Sequence, residues 1–121
     1  RSLMEGVAFE ARQVLESFRE HGMAISSLMM TGGAARSRLW SEIVGYATGC
    51  EIYRMKEPET CSVGAAMIAA VGEGIFADYE QCKGTMVKSE KLPLPCDDMF
   101  SFYEKKYGAY RELQHRIMEQ F

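Results

Sequence analysis

Ser26-Ser27-Leu28-Met29-Met30-Thr31-Gly32-Gly33-Ala34-Ala35-Arg36-Ser37-Arg38-Leu39-Trp40 is the stretch on which the fold of this chain turns. An apolar run rich in Leu and Met stops at two glycines and two alanines; Ser37 then stands at an N-cap position, with Leu39, Trp40, Ile43, Val44 and Ala47 at helical spacing behind it. The pattern is strand, tight Gly turn, helix. Glycine lets backbone approach a ligand closely, and a helix start offers unpaired N–H groups to an anion such as a nucleotide phosphate. A plain α/β connection uses the same residues, so the turn alone leaves both readings open.

Outward from the turn, the chain alternates helix and strand. Ser2 to His21 carries Leu3, Val7, Ala11, Val14 and Phe18 at a period near 3.6, with Ser2 and Glu5 as a capping box and Gly22 as the stop. Met23 to Thr31 reads as a strand buried on both faces, as in a parallel sheet. The Trp40 helix ends at Gly49, Cys50 to Met55 forms a second strand, and Glu57-Pro58-Glu59 turns into a third helix. That helix carries Gly64, Ala65, Ala66, Ala69 and Ala70, so a sheet or a ligand can come close to its backbone; Gly72 and Gly74 end it. A short turn of helix follows from Asp78 to Cys82, and Lys83 to Asp98 is a polar, extended connection with Pro93 and Pro95. Asp97 or Asp98 caps the last helix, whose Phe100, Tyr103, Tyr107, Tyr110, Ile117 and Phe121 form a core-facing stripe, the tyrosine hydroxyls reaching polar partners at its edge.

Composition narrows the classes. The chain has 121 residues, 47% hydrophobic and 26% charged, the profile of one soluble domain. A net charge of −3 with interspersed signs gives no field for nucleic acid or anionic lipid, and no apolar run nears the ~20 residues that span a bilayer. Cys50, Cys61, Cys82 and Cys96 are scattered, without a C-x-x-C, and read as free thiols in a reducing cytoplasm. His21 and His115 have structural roles, and no metal ligand set is visible. The turn is no dinucleotide fingerprint, for it lacks the third glycine at the required spacing, and no P-loop, for no Gly-Lys-Ser/Thr closes it.

Thr31-Gly32-Gly33-Ala34-Ala35-Arg36-Ser37 with Trp40 resembles the T-G-G-G-A-x-S-x-x-W segment of the FGGY carbohydrate kinases. Leu3-Met4-Glu5-Gly6-Val7-Ala8-Phe9 looks like the family's EGVAF helix, Val63 to Ala70 like its LGAALLAA helix, and Tyr103, Tyr107 and Tyr110 like its terminal Tyr-rich helix. All four come in the family's order, closest to xylulokinase-like members.

The resemblance implies an α/β fold: a fragment of a ribonuclease H-like domain of the actin and hexokinase type, with a short, mostly parallel sheet, flanking helices and a long C-terminal helix. It implies that residues 1–121 are one domain, the C-terminal portion of the kinase's second domain, and that the cofactor is ATP with Mg²⁺. Gly32, Gly33, Ala34 and Ser37 match the nucleotide-binding positions, Ala34 standing where the usual third glycine would be and Ser37 falling near the adenine. Arg36 is expected in solvent and Trp40 in the core. The small-residue helix around Gly64 is expected to pack tightly on the sheet and to wall the adenine pocket.

The family's catalytic Asp, sugar-binding residues, phosphate loops and Mg²⁺ ligands precede the region that matches. The only aspartates here, Asp78, Asp97 and Asp98, occupy helix starts, and Arg1 already stands inside a helix. The expectation is therefore a portion of a longer enzyme or a remnant: inactive alone, with the sugar held by an N-terminal domain outside this chain. A different class, a non-catalytic binding or oligomerisation module, fits the same features if uncovered apolar surface finds a partner. A free-standing Rossmann dehydrogenase domain is disfavoured, since no acid is suitably placed after the strand.

Overall fold

Along the described residues of the computed structural model, 1–57 and 59–120, the elements run α1 (Ser2–Glu20), β1 (Ser27–Met30), α2 (Gly32–Arg36), α3 (Arg38–Thr48), β2 (Glu51–Met55), α4 (Thr60–Gly72), α5 (Tyr79–Met86), β3 (Ser89–Leu92) and α6 (Asp97–Met118). The sheet order is β1-β2-β3. β1 and β2 are parallel with Leu28 opposite Ile52, and β3 runs antiparallel with Leu92 opposite Ile52. Pro58 of the expected turn and Phe121 of the aromatic stripe lie outside the described residues. No helix among the described residues is long and apolar enough to cross a membrane.

Period-two alternation puts Leu28, Ile52 and Leu92 on one face of the sheet, and α3, α1 and α6 cover that face. Ile43, Val44, Tyr46 and Ala47 of α3, Ala8 and Phe9 of α1, and Tyr103 and Tyr107 of α6 close the core around them. Gly45 brings α3 close to the sheet: a Cβ there would stand 2.5 Å from Leu94 Cδ1 and 2.9 Å from Ile52 Cγ1. The opposite sheet face is open, with Met29 half exposed. β1 is thus buried on one face only, not on both as its apolar run suggested.

Several expectations change in physical detail. α1 buries Glu5, Ala8, Phe9 and Leu15, whereas Leu3, Val7, Val14 and Phe18 of the expected stripe face outward. The helix carries two apolar stripes, and the buried one runs through a glutamate and Arg12, which a hydropathy pattern discounts. Ser2 and Glu5 form no capping box, because Ser2 is already helical and the Glu5 carboxylate is taken up by α6. Cys96, without a side-chain bond, is the N-cap of α6; Asp97 and Asp98 lie in its first turn, where their charge suits the dipole. The polar connection contains β3, an edge strand whose Glu90 and Lys91 pair across to Arg54 and Glu51. Ile117 is largely exposed.

The tyrosines of the α6 stripe face the core as expected; they pack on Phe9 of α1, and their hydroxyls find carboxylates. Tyr103 donates to Glu5 over 3.2 Å, Tyr107 to Glu16 over 2.5 Å, and Tyr110 to Glu10. Arg12 threads this seam, donating to the Ala47 carbonyl at 3.1 Å and to Glu104 at 2.9 Å, with its guanidinium 4.0 Å from the Tyr107 ring centre.

Glu5 sits at the head of the seam, 6% exposed. Burial pushes its carboxyl up, but the Lys106 ammonium at 2.7 Å, the Tyr103 hydroxyl and Arg1 outweigh it and hold the group below its ordinary 4.5. A depressed carboxyl contributes stability that is present above its unfolded value and is lost as pH falls through the folded one. Urea unfolding measured from about pH 7 down to about pH 3 is expected to show this loss setting in below about 4.5, and Glu5→Gln to flatten that part of the curve. An unchanged acid slope in the variant would contradict the assignment.

Candidate functional site

Thr31 leaves β1 in extended backbone, and Gly32 takes φ +68°, a left-handed conformation that side chains resist. The sequence pattern predicts a single tight turn before the Trp40 helix. Instead one short helix, α2, fills Gly32 to Arg36, and Ser37 serves both neighbours. Its N–H donates to the Ala34 carbonyl at 3.2 Å, closing α2, and its hydroxyl oxygen accepts the Trp40 N–H at 3.2 Å, opening α3. The cap uses the oxygen as acceptor and leaves the hydroxyl hydrogen free to donate elsewhere.

Gly32, Gly33, Ala34 and Ser37 therefore lie together, in α2 and its caps, at the carboxyl end of a parallel strand. Gly33 is exposed, and a Cβ built on either glycine would meet nothing within 4 Å. The backbone of the turn is open on this side. Ala35 is buried beneath it, and Trp40 is half buried against the core, as expected. Arg36 is exposed and forms an ion pair with Glu59, the N-cap residue of α4.

That exposed ion pair is a contact between the Gly turn and the start of the Gly64 helix, and no α4 residue lines the cleft beside the turn. The tight helix-on-sheet packing expected of α4 is not found: α4 packs on α5, none of its side chains is buried, and a Cβ on Gly64 would meet nothing within 4 Å. Small residues permit close approach without enforcing it. The cleft that does adjoin the turn, about 180 Å³, is lined by Ala35 and Arg36 of α2, Arg54, Met55 and Lys56 at the end of β2, and Glu90 of β3. This contribution of β2 and β3 is hidden in the sequence, because the polar residues of β3 do not read as a strand. A wider groove of about 460 Å³ runs between α1 and α6, past Gly6, Phe9, Lys106, Tyr110 and Leu113.

The open Gly32–Gly33 backbone and the free Ser37 hydroxyl hydrogen fit the backbone and hydroxyl contacts of a nucleotide. For Mg²⁺ the chain offers no ligand set: among the described residues no three His, Cys, Asp or Glu side chains gather to hold a metal ion. Asp78 caps α5 through the Gln81 N–H at 2.8 Å, and Asp97 and Asp98 sit in the first turn of α6, so no aspartate stands at the Gly turn.

Comparison with known proteins agrees with this architecture. Xylulose kinase from Staphylococcus epidermidis is 29% identical over 113 residues, 93% of this chain and 23% of that protein. Glycerol kinase from Saccharolobus islandicus is 32% identical over 123 aligned residues, 98% of this chain and 23% of that protein. The fold matches the ligand-bound crystal structure of xylulose kinase from Lactobacillus acidophilus with a TM-score of 0.78 at 19% identity, over 98% of this chain and 24% of that one. The chain thus spans about a quarter of the length of these relatives. Its fold is that of a fragment of the actin and hexokinase type, with a three-stranded mixed sheet. Residues 1–73, the Gly turn included, match the C-terminal domain of the FGGY family of carbohydrate kinases, and the chain belongs to that family.

Proposed function

We propose that residues 1–121 form one domain, the C-terminal portion of the second domain of an ATP-dependent sugar kinase of the xylulokinase-like type, and that Gly32, Gly33, Ala34 and Ser37 seat the adenosine end of ATP. The observation that carries this reading is the left-handed Gly32 leading into an exposed Gly33 at the carboxyl end of β1, inside the segment that matches the family. In that role Gly32 and Gly33 present N–H groups to ribose or α-phosphate, and Ser37 donates its hydroxyl hydrogen toward the base. Ala34 narrows the approach by one methyl group.

Phosphoryl transfer to a sugar hydroxyl needs a base for the proton and a metal to bridge phosphate oxygens. Neither is offered at this turn, so the chain alone is inactive; the base, the Mg²⁺ ligands and the sugar contacts come from another part of the kinase. The substrate is a pentulose or related carbohydrate, and the compartment is the reducing cytoplasm, which suits four free thiols.

The test is calorimetric. With ADP at about 10 mM and a dissociation constant near 1 mM, binding adds about 1.4 kcal/mol and raises the melting temperature by roughly 5 °C. No pentulose turnover is expected from the chain alone. An unchanged melting temperature would remove the nucleotide reading, and turnover by the isolated chain would remove the division of labour. A second reading, a non-catalytic assembly module, is favoured by exposed Leu3, Val7, Val14, Leu113, Ile117 and Met118. A mass that rises with concentration, together with a melting temperature indifferent to ADP, would select it.

A further inference from the structure

The cleft beside the Gly turn carries more positive charge than its neighbours neutralise. Arg36, Arg54 and Lys56 face one lining carboxylate, Glu90, on a chain whose net charge is −3. Arg36 is matched by Glu59 and Arg54 by Glu90 at 2.7 Å, but Lys56 has no ion-pair partner among the described residues. Arg54 is the deepest of the three, its side chain 19% exposed. Its Nη2 serves Glu90, while its Nε is buried without any hydrogen-bond partner among the described residues. A buried guanidinium N–H left unpaired is costly, so Glu90 alone does not satisfy this side chain, and the exposed part of the guanidinium is what the cleft presents to a ligand.

We propose that Arg54 and Lys56, with Arg36, bind a phosphate group in the cleft between α2 and the end of β2. A guanidinium presents its donors in a fork suited to phosphate oxygens, and an ammonium adds a mobile charge. Buried Ala35 contributes no more than a methyl group to the wall, which leaves about 180 Å³ for a tetrahedral anion. Glu90 is half exposed on the edge strand, free to swing out and release Nη2 to the incoming oxygens. Its carboxyl is held below the ordinary range by Arg54 against the opposing effect of desolvation, with Lys56 adding to the field, so both cations act on one point in the cleft. The proposal stands without the nucleotide reading, since its two principal cations, Arg54 in β2 and Lys56 just beyond it, lie outside the Gly motif.

The experiment is an amide NMR titration of the full chain with inorganic phosphate at low ionic strength. Saturable shifts are expected at Ala35, Arg36, Arg54, Met55, Lys56 and Glu90. Arg54→Met is expected to weaken the fitted affinity about tenfold or more. Lys56→Gln, at an exposed position that does not threaten folding, should weaken it several-fold, and Arg38→Gln, whose partner Glu42 lies away from the cleft, should leave it unchanged. Repeating the titration with saturating ADP separates the sources. Competition means that the nucleotide supplies the phosphate, and undiminished shifts mean a separate phosphate ester; both outcomes keep the site. Shifts absent from residues 54–56, or an affinity that Lys56→Gln and Arg54→Met leave unaltered, would overturn the proposal whatever ADP does.

Discussion

Tyr103→Ala is expected to lower the stability of the chain by about 3–5 kcal/mol, a large part of a margin of about 5–15 kcal/mol. Tyr103 is fully buried between the α1 and α3 layers, its ring centre 6.3 Å from those of Phe9 and Tyr46 and 5.3 Å from that of Phe102. Truncation removes that ring and also the hydroxyl that supports buried Glu5. Tyr103→Phe separates the two losses: it keeps the ring and forfeits the hydroxyl's donation to Glu5, worth about 1.5–3 kcal/mol, together with its longer, half-exposed bond from Arg1 at 3.4 Å. Chemical denaturation of both variants measures the difference. Equal losses would mean that packing counts for little, and the α6 stripe would not be the core element described.

Ile52→Ala is expected to cost about 2–5 kcal/mol, and Ile52→Val about 0.5–1.5 kcal/mol. Ile52 is completely buried on the middle strand, opposite Leu28 on one side and Leu92 on the other, under the close approach of α3 at Gly45. Ile52 therefore joins all three strands to the helical layer. Loosening β2 here should also loosen Arg54 two residues on. Urea midpoints give the stability change; a loss below about 1 kcal/mol for the alanine variant would mean that the sheet and helices are not held through this side chain.

What was legible in the sequence is what local chemistry dictates. Gly32 needs a left-handed backbone, Ser37 accepts the Trp40 N–H, Asp78 accepts the Gln81 N–H and Gly49 stops α3; each rule acts within a few residues, so each could be read without the fold. The parallel β1–β2 pair was expected from the apolar run of β1, although that strand is buried on one face only. Facts that depend on partners far along the chain were not legible. The buried side of α1 is set by α6, which supplies Tyr103 and Lys106 to Glu5; before that pairing, Leu3, Val7 and Phe18 made the more persuasive stripe. β3 hides among polar residues because an edge strand carries its charges outward. Arg54 and Lys56 carry no signal in the sequence, because the cleft they line exists only once β3 and α2 stand beside the end of β2.

The most direct test of the nucleotide seat is an amide NMR map of the chain titrated with ADP. Saturable shifts centred on Gly32, Gly33, Ala34 and Ser37 are predicted, reaching Ala35 and Arg36. A spectrum unmoved at about 10 mM ADP, an excess at which even a millimolar site fills, or one that moves only along the Phe9 and Tyr110 groove, would contradict it.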